Sequence, residues 1–207
     1  MNRTYIYIDA FNLYYGALKN TKYKWINAYK LCKHLLPKNE IIKIKYFTAL
    51  VSARKNDPNQ PVRQKIFLRA LETVPSLKII YGHFLTHSRD LPLVNPTKKR
   101  QFANVYRTEE KGSDVNLAVH LLYDAYKNNY NTAVIISNDS DLFESIKLVK
   151  KDFGKKIGIL NPQKYPSKKL LPLIDFYKPI RKGVLQSSLF PNKLKDEKGS
   201  FHKPKEW

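Results

Sequence analysis

The chain has one cysteine, Cys32, in 207 residues. A lone thiol makes neither an internal disulfide nor a thiolate metal cluster. It falls in the apolar pattern of Leu31, Leu35 and Leu36 and is expected in the core. Acids are scarce too: 17 Asp and Glu stand against 38 Lys and Arg, a net charge of +21. That excess points to a polyanionic partner, nucleic acid before an acidic membrane surface. No apolar run approaches the ~18 residues that a membrane helix needs. The first apolar stretch is broken by Asp9, unlike a secretory leader, so a cytoplasmic location is expected. Neither a P-loop nor a G-x-G-x-x-G turn is present, which disfavours nucleotide-cofactor enzymes. No Ser-His-Asp or Cys-His constellation stands in the order or context that nucleophilic catalysis requires.

What remains is an ordinary folded chain. Hydrophobic residues make up 43%, enough for a packed domain, and the length suits one domain with a substantial core and a tail. Strands are expected at Tyr5–Ile8, 41–51, 77–85 (with Gly82 inside), 133–136 and 156–160, and an edge strand at 174–177. Helical patterns lie between them: 28–36, 62–71, 115–125 and 142–149. Alternation of this kind predicts βαβ units, hence an α/β fold with a central parallel sheet flanked by helices.

Two strands deliver acids to their carboxyl ends. Val134, Ile135 and Ile136 form a run fit for burial on both faces of a parallel sheet. The run stops at Ser137, and Asp139 and Asp141 follow. Tyr5–Ile8 ends in Asp9, with Asn12 three residues on. Ligands of open α/β sheets bind outside the carboxyl ends of strands. Clustered carboxylates repel unless a cation or proton is shared. The plainer roles are helix caps for Asp139 and Asn12, and capping is the stronger single role for Asn12. Asp9, at the end of a buried strand, has no Lys or Arg nearby in sequence. Asp114 falls in a first helical turn, where the dipole favours an acid, and Glu110 lies just before it. His120 is expected to be a satisfied, partly buried residue; His83 and His87 are not spaced for one metal.

The link between residues 86 and 109 is long for its class, ~2–6 residues being typical. Leu91–Asn95 and 101–108 can pair as a hairpin, with Lys98, Lys99 and Arg100 at its tip. Such a tip either guides a phosphate backbone or is simply a solvated loop. Residues 1–180 are read as the domain and 181–207 as a basic tail, partly packed through Leu185, Leu189 and Phe190, with its last dozen residues mobile.

Three segments together resemble the NYN-domain branch of the PIN-like nuclease superfamily: YIDAFNLYYG with Asp9 and Asn12, KGSD from Lys111 to Asp114, and SNDSDL with Asp139 and Asp141. They stand in the family's order. The resemblance implies a three-layer, Rossmann-like or PIN-like fold and an acidic pocket binding Mg²⁺ or Mn²⁺. It implies hydrolysis of RNA phosphodiesters, single-stranded or structured, with Asp9, Asp114, Asp139 and Asp141 catalytic and metal-bound. Asn12, Ser137 and Glu110 would support them, and Lys98, Lys99, Arg100 and Lys111 would bind RNA. Relatives often carry another acid where this chain has Val119 and His120, so one metal or two would serve. The rival is a nucleic-acid-binding module that keeps the fold without cutting. A third option takes Asp139-Ser140-Asp141 as the D-x-D of a glycosyltransferase, which leaves Asp9 and Asp114 without a role. Self-association is compatible with the sequence and not required by it.

Overall fold

The computed structural model describes residues 3–207. A six-stranded parallel sheet forms its centre, in the order β3-β2-β1-β6-β7-β8. Its strands are β1 (Arg3–Asp9), β2 (Glu40–Thr48), β3 (Leu77–Tyr81), β6 (Thr132–Ile136), β7 (Lys156–Asn161) and β8 (Phe176–Pro179). Counting only these strands, the order is 3-2-1-4-5-6, that of a doubly wound sheet. The chain runs outward one way from β1 and the other way from β6, so the β1–β6 boundary is the topological switch point.

Period-two alternation divides the core between the two faces. Ile6 and Ile8 of β1 face one side with Ile44 and Tyr46. They pack there under α2 (Ala28–Leu35) and α3 (Gln60–Glu72). Tyr7 and Phe47 face the other, under α4 (Ser113–Tyr126) and α5 (Phe143–Phe153). All five residues of β6 are buried, as its unbroken apolar run requires. Cys32 is fully buried among the first set, and burial pushes its thiol up to about 12.

Two expected strands end early, each for a local reason. β2 stops at Thr48 rather than Val51, because Gln64 of α3 takes over the next backbone groups. Its Oε1 accepts from Val51 N–H at 2.9 Å, and its Nε2 donates to the Ala49 carbonyl at 2.8 Å. The expected strand over 77–85 is two strands. Gly82 donates to the Thr48 carbonyl at 2.8 Å, and the chain then leaves the sheet as β4 (His83–Pro92), paired antiparallel with β5 (Phe102–Lys111). The hairpin is therefore longer than its sequence signals suggest, ten residues per arm.

The last dozen residues, expected to be mobile, are anchored instead. After α6 (Lys182–Ser187), β9 (Lys193–Asp196) and β10 (Gly199–His202) pair as a hairpin. Phe201 is buried, and Trp207 meets Phe67 and Trp25 edge-on at 5.6 and 6.5 Å. Arg69 grips Asp196 through two hydrogen bonds of 2.7 and 2.6 Å and lies 4.2 Å from the Phe201 ring centroid.

Arg69→Ala is accordingly expected to loosen the terminal hairpin, read as faster limited proteolysis within residues 193–207 while the central domain resists. Acid works in the same direction. Bonding to Arg69 lowers the Asp196 carboxyl to about 2 from its ordinary 3.8. The contribution is thus present above the ordinary value and fades as pH falls through about 2. Unchanged proteolysis of the variant would show that the apolar anchors hold the hairpin without the ion pair.

Candidate active site

The sheet sequence puts an acid on each side of the switch point. β1 and β6 are neighbours, with Ile8 opposite Ile136, so Asp9 and the Ser137–Asp139 turn emerge side by side. Asp9 caps the short helix α1 (Ala10–Leu13), its Oδ1 accepting from Asn12 N–H at 2.9 Å. Ser137 Oγ donates to Asp9 Oδ2 at 3.1 Å and accepts from Asp139 N–H at 3.1 Å. One hydroxyl thereby ties the two acid-bearing turns together.

Asn12 does not cap a helix, contrary to its stronger single role in sequence. Its Oδ1 accepts from Asn138 N–H at 3.1 Å and from Gln163 Nε2 at 3.4 Å. It staples the β6 exit to the β7 exit. Asn138 continues the lattice, donating to the Tyr165 carbonyl and accepting from Ser167 N–H. Asp139 does fill the plainer role foreseen for it: its Oδ1 accepts from Asp141 N–H at 2.9 Å, capping a short 3₁₀ turn over Ser140–Leu142. Capping occupies one lone pair of that carboxylate and leaves others for a ligand.

The KGSD segment reaches the same edge from the other side. Gly112 takes φ +90°, a left-handed turn that ends β5 and starts α4. Glu110 closes the turn: its carboxylate accepts from Ser113 N–H at 3.1 Å and Ser113 Oγ at 2.7 Å. Gly82 allows this approach, since a β-carbon there would lie 2.6 Å from Glu110 Oε1 and 2.6 Å from the Lys111 carbonyl.

The result is a cleft of about 300 Å³ lined by Asp9, Asn12, Glu110, Ser113, Asp114, Asp139 and Gln163, with Phe11 and Tyr15 at its rim. Asp9, Asp114 and Asp139 share this cleft; Asp141 is exposed and does not line it. Burial, reinforced by Asp139, raises the Asp9 carboxyl above its ordinary value against the pull of its hydrogen bonds. Such a group gains from a neighbouring cation. Among the described residues, no three His, Cys, Asp or Glu side chains stand close enough to form a ready cation cage. The donor chemistry is nevertheless that of a hard cation. Mg²⁺ is usually held by one or two carboxylates, several waters and substrate phosphate rather than by an all-protein cage.

Gln163 and Ser113 were not singled out from sequence. Gln163 had a usable signal: it lies two residues past the end of β7, at the sheet edge that already carries Asp9 and Asp139. His120 is partly buried as expected, its Nδ1 3.2 Å from Lys45 Nζ, and does not line the cleft. His83 and His87 sit on β4 opposite Lys111 and Arg107. Lys98, Lys99 and Arg100 are exposed at the hairpin tip, whereas Lys111 is engaged with Glu109 at 2.9 Å. No helix is long and apolar enough to cross a membrane among the described residues.

Three comparisons bear on these observations. A crystal structure of a protein of unknown function from Vibrio parahaemolyticus superposes with a TM-score of 0.58 at 16% identity, over 87% of this chain and 94% of that one. It shares the fold. The 6-hydroxy-3-succinoylpyridine 3-monooxygenase HspA of Pseudomonas putida is 31% identical over 77% of this chain. The match spans 59% of that relative's length. The NYN domain model matches residues 3–175, taking in both acid-bearing strand ends and the turn that carries Asp114. The chain belongs to the NYN domain family.

Proposed function

We propose that the protein is a metal-dependent ribonuclease that hydrolyses RNA phosphodiester bonds in the cleft at the β1–β6 switch point. The observation that carries this is the convergence of Asp9, Asp114 and Asp139 on one cleft in a chain of net charge +21. Acids gathered where the rest of the surface is basic have a use if a cation joins them. Bound Mg²⁺ or Mn²⁺ would supply an activated water and offset charge on the phosphoryl oxygens. Asp9 and Asp139 would be its first ligands, with Asp114 opposite, and the exposed Asp141 stands outside the lining. Ser137 holds the Asp9 and Asp139 turns in register, and Glu110 fixes the helix start that presents Asp114. Asn12 and Gln163, bonded to each other, complete the lining of the cleft. Asp9, Asn12, Glu110 and Asp139 are each fixed by hydrogen bonds, which suits a site that must hold a phosphate in line.

The β4–β5 ribbon would guide the strand. Phe84, near its root, meets Phe11 at the cleft rim edge-on at 5.7 Å, and its tip carries Lys98, Lys99 and Arg100. Replacing these three by Ala should weaken RNA binding and flatten its salt dependence by roughly 2 in log K against log salt, at ~0.7 per single-strand phosphate contact. The check is binding titration at four or more salt concentrations. A larger effect from replacing Lys193, Lys195 and Lys198 would move the guide to the terminal hairpin.

A second reading has one observation in its favour, the name of the Pseudomonas putida relative. The test is common to both. Purified protein is incubated with labelled single-stranded and structured RNA and DNA under Mn²⁺, Mg²⁺ or EDTA, and in parallel with 6-hydroxy-3-succinoylpyridine, a reductant and air. Metal-dependent RNA cleavage supports the nuclease. RNA binding without cleavage supports a binding module, and turnover of the pyridine supports the oxygenase.

A further inference from the structure

A second cavity, of about 360 Å³, opens beside the acidic cleft, between the β1–α1 exit and α3. The two cavities share walls: Phe11 and Tyr15 line both. Its other rings come from Tyr14, Tyr46, Phe67 and Trp207. Its size falls in the range of clefts that hold small ligands, ~300–1,000 Å³.

The polar groups in this cavity are not equivalent. Gln64 is spent on the backbone of Ala49 and Val51. Arg63 pairs with Asp57 through Nη2, both oxygens at 2.5 Å, and its Nη1 faces Glu206 at 3.9 Å. Gln60 differs: its Oε1 is buried and finds no hydrogen-bond partner. An unpaired buried carbonyl oxygen is costly to the folded state, and only a hydrogen-bond donor completes it. Burial, then the nearby Asp9 carboxylate, raises the Tyr46 hydroxyl above its ordinary value, so it stays a donor.

We propose that this cavity receives one unstacked nucleobase of the strand whose phosphate lies in the acidic cleft, with Tyr15 and the neighbouring rings stacking on it and Gln60 bonding its edge. Flat aromatic walls beside a phosphate site match what an unpaired nucleotide presents, a planar ring attached to an anion. Stacking accepts any base, whereas Gln60 Oε1 accepts from an N–H at a base edge. A duplex keeps its bases stacked and cannot fill the cavity, so the preferred substrate is single-stranded at the cleavage point. The inference rests on the RNA proposal above and deepens it.

The test measures quenching of tryptophan fluorescence, because Trp207 lines the cavity, by nucleoside 5′-monophosphates in EDTA. Ribose 5-phosphate serves as the baseless control. Nucleotides should quench saturably and ribose 5-phosphate should not. Gln60→Leu should weaken nucleotide binding roughly three- to tenfold, one hydrogen bond's worth. Tyr15→Ala should weaken it roughly tenfold or more, one stacking contact's worth; Tyr15 is 54% exposed, so its loss is compatible with folding. Circular dichroism melts of both variants establish that they are folded. Equal quenching by ribose 5-phosphate, or unchanged affinity in both folded variants, overturns the base site even if wild-type protein cleaves RNA. Tighter quenching by 6-hydroxy-3-succinoylpyridine than by any nucleotide also overturns it. Quenching by nucleotides without RNA cleavage would uphold the cavity and defeat the nuclease proposal instead.

Discussion

Asp124→Asn should destabilise the fold by about 3–5 kcal/mol, the usual cost of leaving one partner of a buried ion pair without the other. Asp124 and Lys45 are both buried, at 3% and 8% exposure, and their charged groups meet at 2.5 Å. Around that contact the Tyr7 hydroxyl donates to Asp124 Oδ2 at 2.7 Å and Asn129 Nδ2 to Oδ1 at 3.1 Å. Burial drives the Tyr7 hydroxyl far above its ordinary range, so it stays a donor. Burial, then Lys45, lowers the His120 imidazole, so it remains neutral beside the ammonium. Asparagine keeps the size and two of the hydrogen bonds but strands the Lys45 charge in the interior. For a chain of this length the melting point should fall on the order of 10 °C, at ~2–4 °C per kcal/mol. Lys45→Met added to Asp124→Asn should recover most of the loss, because the uncompensated charge is then gone. Thermal and denaturant unfolding of the single and double variants decide it. A single variant within about 1 kcal/mol of wild type would mean that water reaches Lys45 and the pair is not the fastener of α4 to the sheet.

Nothing in the sequence singles this pair out. Lys45 reads as one of two lysines interleaved in a strand, and Asp124 as a polar position late in a helix. They are 79 residues apart and meet only because α4 crosses the sheet over β2. Asp9 and Asp139 were legible for the opposite reason. Each ends a short apolar run, and apolar runs in alternating α/β order become parallel strands whose carboxyl ends share one edge. The split at Gly82 was hidden because the apolar pattern of β3 runs on through Phe84 and Leu85. Where β3 ends, Glu110 and Ser113 crowd Gly82 from 28 and 31 residues further on. The terminal hairpin was hidden by its lysines. Phe201 and Trp207 are isolated apolar residues in a charged segment, and a few well-placed rings anchored it without producing any periodicity.

The other large expected effect is on chemistry. Asp9→Asn and Asp139→Asn, separately, should lower the rate of RNA cleavage by roughly 10²–10³-fold or more, the scale of removing one group that organises transition-state charge. The two losses should not multiply in the double variant, because the carboxylates serve one cation. Neither substitution should harm folding. Asparagine caps a helix as aspartate does, so the Asn12 N–H keeps its partner. Ionised Asp9 is disfavoured in the folded state by burial and by Asp139, so removing its charge leaves the apo protein as stable or more stable at neutral pH. Binding of RNA in EDTA should persist or strengthen, since charges that repel phosphate have gone.

Single-turnover cleavage of one labelled single-stranded RNA, by wild type and by the Asp9→Asn, Asp139→Asn double variant of matched purity, with Mn²⁺ and with EDTA, tests the account most directly. The acidic cleft as a metal-dependent nuclease site predicts cleavage by wild type in Mn²⁺ and none in EDTA. It predicts loss of cleavage in a double variant that still melts cooperatively and still binds RNA. Equal Mn²⁺-dependent cleavage by the double variant would contradict the site, and no cleavage by folded, RNA-binding wild type would contradict the activity.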